Sequence, residues 1–249
     1  MNPFDLSGKR ILVTGASSGI GRACAILAAE LGASVVLTGR RRDALDETWR
    51  RMVNASLHTI IEGDIASSEF IDCLTKGAGR LDGLVHAAGV AVMSPIGMTV
   101  KAQVDSVMAV NYYAFLVLMK YYAKAKYRND GFSAVAVSSV SALAGWGGGV
   151  AYCGSKGALS SSVRALAMEL APKRMRVNAV CPSNIKTPLY DVGAAAVNDK
   201  NSLSELLEKQ PLGLGMPEQV AAPVCFLLSD AASFITGVNI PVDGGYLAH

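Results

Sequence analysis

Seven short apolar runs, rich in β-branched residues, punctuate this 249-residue chain at Arg10–Thr14, Ser34–Thr38, Thr59–Glu62, Gly83–His86, Ala134–Ser138, Arg176–Val180 and Val238–Val242. Polar residues barely alternate within them, which is the pattern of strands covered on both faces. The segments between carry a helical rhythm. Ile20, Cys24, Leu27 and Leu31 recur at helical spacing and are followed by Gly32 as a C-cap. Ala158–Leu170 sets Val163, Leu166 and Leu170 on one side before Pro172 stops it, and Pro217 opens a further helix through Val220, Val224 and Leu228. Strands joined by crossovers of this length predict an α/β fold: a doubly wound, seven-stranded parallel sheet with helices on both faces, Rossmann-like. No linker divides the chain, so residues 1–249 read as a single domain. The irregular stretch from Pro182 to Pro217 reads either as a flap, at about 183–216, with a short helix over the substrate side, or as a plain exposed excursion.

Composition narrows the function. Hydrophobic residues make up 51% and charged residues 17%, with 25 glycines, which suits a compact core and excludes a disordered or coiled-coil chain. The formal charge of +3 is small and scattered, so no basic face for nucleic acid is expected. Five separated cysteines and three unclustered histidines form no metal or disulfide pattern, and a reducing cytoplasm is the expected compartment. The opening MNPFDLSGKR is unlike a signal peptide, and no run of 18 apolar residues calls for a membrane.

The turn Thr14-Gly15-Ala16-Ser17-Ser18-Gly19-Ile20-Gly21 lies between the first strand and the first helix. Small residues there let a dinucleotide pyrophosphate approach the N–H groups of a helix start. Gly15, Ser17, Ser18, Gly19, Ile20 and Gly21 are therefore cofactor candidates. At the end of the second strand an acid would bind the ribose hydroxyls of NAD. Gly39 stands there instead, followed by Arg40, Arg41 and Arg42. Cations at a helix start oppose its dipole unless an anion sits among them, and the 2′-phosphate of NADP is the natural one. NADP is thus expected over NAD, with Arg40 and then Arg41 as its contacts; Arg22 either adds charge or faces water.

Tyr152 and Lys156 are one helical turn apart and share a face. A free phenol has a pKa of about 10, and a nearby ammonium is expected to lower it toward a useful range. Tyr152 then exchanges a proton with a carbonyl or alcohol oxygen, which Ser139 holds by a hydrogen bond. Nothing suggests a Ser-His-Asp hydrolase, since His58, His86 and His249 lie away from these motifs.

These motifs, in this order, resemble the short-chain dehydrogenase/reductase family, and 3-oxoacyl and related carbonyl reductases within it. The resemblance runs over nearly the whole chain. It rests on the Gly-rich turn, His86-Ala87-Ala88-Gly89, Asn111, Ser138-Ser139, Tyr152-x-x-x-Lys156, Pro182 through Thr187, Thr236-Gly237 and Asp243-Gly244-Gly245. It implies one NAD(P)-binding catalytic domain with Asn111, Ser139, Tyr152 and Lys156 as catalytic residues. Lys156 would meet the nicotinamide ribose and Asn111 would anchor a water that relays protons to it. It adds Asp64, Ile65, Ala88, Gly89, Pro182, Ser183, Ile185 and Thr187 to the cofactor site, together with Tyr152 and Lys156. It also implies a homotetramer built on the two central helices and the C-terminal segment.

Two departures stand out. His86 replaces an asparagine and reads as a strand-end residue bonded in the core, and Ser183 replaces a glycine and is expected to narrow the pocket. Substrate contacts are expected from Val92, Met93, Ser139, Trp146, Tyr152, Asn184, Leu189 and Tyr190. Trp146 reads equally as an apolar wall or as an anchor on a neighbouring subunit. The expected activity is NADPH-dependent reduction of a ketone or 3-oxoacyl thioester. The alternatives are NADP-linked oxidation of a sugar, steroid or other secondary alcohol, and a non-catalytic dinucleotide-binding protein.

Overall fold

A computed structural model describes residues 2–191 and 209–248. The strands are β1 (Arg10–Thr14), β2 (Ser34–Gly39), β3 (Thr59–Glu62), β4 (Leu81–His86), β5 (Arg128–Val137), β6 (Arg176–Pro182) and β7 (Asn239–Val242). They form one parallel sheet in the order β3-β2-β1-β4-β5-β6-β7. Each apolar run expected to be a strand is one. β5 reaches further back than expected, because its polar start, Arg128–Gly131, lacks the apolar signal and pairs with β4 across an irregularity at Leu81/Gly83.

Among the described residues the longer helices are α1 (Gly19–Glu30), α2 (Arg42–Arg50), α3 (Ser68–Gly77), α4 (Lys101–Met108), α5 (Ala114–Tyr122), α6 (Val150–Leu170) and α7 (Pro217–Leu228). A π turn, Ala109–Tyr113, joins α4 to α5. α6 starts eight residues before the Ala158 expected from its rhythm, because Gly154 and Gly157 interrupt the apolar pattern without ending the helix. The flap expectation falls partly outside the described residues, at 192–208.

Two buried layers enclose the sheet. One holds Ile11, Val13, Val35 and Leu37 with Cys24 and Ala28 of α1 and Val224 and Leu228 of α7. The other holds Leu12, Leu84, Ala134 and Val177 with Phe115, Leu118, Leu159 and Val163. The chain crosses from one face to the other between β1 and β4, so a crevice opens beyond their carboxyl ends. Register places Thr14 of β1 directly opposite His86 of β4 at that crevice.

The continuous helix Lys101–Tyr122 is long and apolar enough to cross a bilayer by length and composition alone. Here it is a sheet-packing helix: Phe115, Leu118, Met119 and Tyr122 are buried against the second layer.

Candidate active site

The turn after β1 has the geometry of a dinucleotide cradle. Gly15 adopts φ +68, and a Cβ there would lie 2.8 Å from the Ala88 backbone, so only glycine fits. Ser18 precedes α1 without capping it through its side chain, and the first turn of α1 carries no acid. The N–H groups at this helix start are therefore turned to the crevice and suited to an anion. Thr187 faces them across the crevice, its Cγ2 at 3.0 Å from where a Gly19 Cβ would be.

The second half of the cradle lies at the end of β2. A Cβ on Gly39 would sit 3.5 Å from Ser17 Oγ, which brings the two loops together. Arg42 pairs with Asp46 at 3.0 Å and Arg22 with Glu47 at 2.6 Å, whereas Arg40 and Arg41 are exposed and make no ion pair among the described residues. Arg22 neither faces water nor offers its charge. Its guanidinium donates to Ser17 O, Thr48 Oγ1 and Glu47, so it ties the turn to α2. Asp64 is exposed beyond β3 and its carboxylate accepts from Ala66 N–H, while neighbouring Ile65 is buried. These residues fit a dinucleotide carrying an extra phosphate on its ribose.

Deeper in the crevice, β5 delivers Ser139 and α6 delivers Tyr152 and Lys156. Ser141 N–H donates to Ser139 Oγ at 3.0 Å, which leaves the Ser139 hydrogen free to point at the Tyr152 phenol. Tyr152 is half-buried, but its phenol end is enclosed, and burial pushes its pKa up to about 12, opposed by the Ser139 bond. The expected lowering by Lys156 is not what this structure has. The Lys156 ammonium lies 5.7 Å from the Tyr152 ring centroid and donates to Val137 O at 2.8 Å. Burial lowers its own pKa to about 8, so its charge is weakly held where it would have to act.

Asn111 is fully buried in the π turn. Its Oδ1 accepts from Val90 N–H at 2.8 Å, and its Nδ2 donates to Val90 O and to Ser155 Oγ, each at 2.9 Å. Both amide hydrogens are spent, and Oδ1 keeps one lone pair beyond its bond from Val90 N–H. The side chain staples the loop after β4 to α6, between Tyr152 and Lys156. A Cβ on Gly89 would be 3.6 Å from both Asn111 Oδ1 and Lys156 Nζ, so these groups converge at Ala88-Gly89.

His86 does not lie away from the motifs. It contacts Thr14 of the cofactor turn and Val110 beside Asn111. The Ser183 hydroxyl is drawn aside, its one hydrogen shared between Gln210 Oε1 and Asp243 O at 2.8 and 2.9 Å. Gln210, almost wholly buried, also accepts from Asn184 N–H and donates to Asn184 O. Sequence reading missed Gln210, which sits 27 residues from Ser183 in no motif.

Trp146 is half-buried, with its Nε1–H on Ser141 Oγ at 3.1 Å and its ring centroid 6.4 Å from that of Tyr152. Its indole fills the space over Gly149, where a Cβ would meet it at 2.5 Å. Val92 is half-buried and Met93 exposed on the loop that Ser94 N–H ties to Gly148 O; Leu189 and Tyr190 follow Thr187, whose Oγ1 accepts from Tyr190 N–H. Cys153 is half-buried.

A family model described as enoyl-(acyl carrier protein) reductase matches residues 15–247. The chain is 35% identical to the L-xylulose reductase of Bos taurus, over 98% of each chain. It is 36% identical to the 3-oxoacyl-[acyl-carrier-protein] reductase of Rickettsia felis, over 98% of this chain and 99% of that one. A crystal structure of a putative 2-deoxy-D-gluconate 3-dehydrogenase from Agrobacterium tumefaciens, with bound NADP, superposes with a TM-score of 0.90 at 32% identity over the whole of both chains.

Proposed function

The chain belongs to the short-chain dehydrogenase/reductase family, and from that membership we propose that it reduces a ketone or 3-oxoacyl group to the secondary alcohol with NADPH. The observation that carries the reading is the meeting of Ser139, Tyr152 and Lys156 beside a glycine-walled helix start. The fit of Arg40 and Arg41 to a ribose phosphate, and the NADP in the Agrobacterium protein, support NADPH over NADH. Gly15, Ser17, Ser18, Gly19, Ile20 and Gly21 would hold the pyrophosphate side, and Asp64 and Ile65 the adenine side. Ala88, Gly89, Pro182, Ser183, Ile185 and Thr187 would flank the nicotinamide side.

NADPH supplies the hydride. The residues do the rest. With its own oxygen engaged by Ser141 N–H, Ser139 directs its hydrogen to the substrate oxygen, and Tyr152 gives that oxygen a proton. With its pKa raised to about 12, the Tyr152 phenol holds at neutral pH the proton that reduction calls for. Lys156 has two further N–H bonds beyond the one to Val137 O and would use them on the nicotinamide ribose. Trp146, beside Tyr152, forms an apolar wall for the substrate, with Val92, Met93, Asn184, Leu189 and Tyr190 as its other contacts.

The working form is a cytoplasmic homotetramer in this reading. Supporting it are apolar groups exposed on one side at Ile96, Met98, Val100 and Tyr113 and on another at Met168 and Phe234. The test is NADPH and NADH consumption with a short 3-oxoacyl thioester, a neutral ketone of equal length and a ketose, in wild-type protein and Arg40→Ala. Arg40→Ala should raise KM for NADPH by roughly tenfold or more and leave NADH within about twofold, the scale of a lost charged hydrogen bond. Equal weakening of both cofactors would refute the phosphate assignment.

A further inference from the structure

We propose that His86 is a positioning residue: its imidazole serves the main-chain carbonyl that the π turn leaves open, and so sets where Asn111 sits between the β4 loop and α6. The proposal rests on the reading of Asn111, Tyr152 and Lys156 as the reaction's machinery.

The π turn carries one residue more than an α-helix would. Ala114 N–H bonds to Ala109 O, although in an α-helix it would serve Val110 O. Val110 O thus lacks the Ala114 N–H that an α-helix would give it, and His86 Nε2 stands 3.2 Å from it. A buried carbonyl without one costs about 1–3 kcal/mol.

The hydrogen bonds also fix the imidazole tautomer. Val110 O can only accept, so the proton is on Nε2. His86 Nδ1, 3.1 Å from Thr14 Oγ1, is then the acceptor. Thr14 Oγ1 already accepts from Ala88 N–H at 3.1 Å, so its single hydrogen is free for Nδ1. The ring is wholly buried and tilts against Phe115 with centroids 5.6 Å apart, which prevents it from swinging off the carbonyl. Burial, aided by the charge of Lys156, drives its pKa to about 3, so it stays neutral and keeps this pattern at all working pH.

The consequence reaches the catalytic helix. If Val110 O lost this donor, a buried carbonyl would stand unserved beside Asn111, and the turn would shift to find it a partner. Burial of Phe115, Leu118, Met119 and Tyr122 holds α5 in place, so the shift falls on the turn itself. Asn111 would leave Val90 and Ser155, and with them the staple between the β4 loop and α6. His86 thus joins the cofactor turn, through Thr14, to the catalytic helix, through Asn111.

The test compares His86→Gln, whose amide can still reach Val110 O with an N–H, and His86→Leu, which fills the space without one. The readouts are kcat, KM for NADPH, and hydrogen exchange followed by mass spectrometry. His86→Gln should keep kcat within about threefold of wild type, and His86→Leu should lose roughly a hundredfold, the scale of a 1 Å misplacement of reacting groups. In His86→Leu KM for NADPH should rise by a smaller factor than kcat falls, and faster exchange should centre on peptides from 101–122. Equal kcat in Leu and wild-type proteins, equal losses in Gln and Leu, or exchange rising evenly over the sheet would overturn the proposal. If His86→Leu does not fold, the Gln variant decides, because its failure to restore kcat contradicts the proposed donor. Should wild-type protein turn over no carbonyl, the functional reading fails. The positioning role is then judged by the exchange contrast alone.

Discussion

Burying an ammonium beside a phenol works against stability, and Lys156 and Tyr152 bear that cost at the centre of the site. Lys156 is almost fully buried, donates to Val137 O, and has its pKa lowered by burial to about 8, against an ordinary value near 10.5. Between those values the unfolded chain binds more protons than the folded one, so this group's contribution to stability rises with pH across that window. Below pH 8 the full penalty applies. Lys156→Met should therefore abolish turnover yet raise Tm at pH 7 by about 5 °C, allowing for an unserved Val137 carbonyl. The gain over wild type should shrink from pH 8 toward 10.5, and melting curves at several pH values check it. A Tm that falls at pH 7 would show that packing and the Val137 bond outweigh desolvation.

At the level of elements, the alternation of apolar runs and helical rhythm located every strand, because parallel strands buried on both faces leave an unbroken apolar signal. It located Tyr152 and Lys156 as well, since their relation is a helical turn and therefore local in sequence. Contacts between distant segments were not legible. The donor of His86 finds its carbonyl 24 residues away, and nothing in the pattern of Ala109–Tyr113 announces an extra residue in the turn. The same holds for Ser183, whose hydroxyl was expected in the pocket but is drawn aside by Gln210 and Asp243. Gln210 also bonds Asn184 and Gly213, so it joins the loop after β6 to the returning chain. Gln210→Leu would leave the part-buried Ser183 and Asn184 groups without these partners. It should lower stability by about 1–3 kcal/mol and raise KM for NADPH more than it lowers kcat, in denaturation and steady-state measurements. Unchanged KM would separate this network from the cofactor side.

For the molecule as a whole, the sheet order places the carboxyl ends of β1 and β4 at the point where the chain changes faces. The cofactor turn, the β4 loop and α6 meet there, and no second domain among the described residues is needed to complete the site. Ile96, Met98, Val100, Tyr113 and Phe234 keep their apolar side chains exposed. The central claim is that Tyr152, held by Ser139 at this switch point, gives the proton that completes carbonyl reduction. The most direct measurement is NADPH consumption by wild-type and Tyr152→Phe proteins on the best carbonyl substrate, beside NADPH binding followed by its fluorescence. The account predicts equal binding and a loss of turnover of roughly a thousandfold or more, within the range for removal of a general acid. Turnover by Tyr152→Phe within about tenfold of wild type would contradict it.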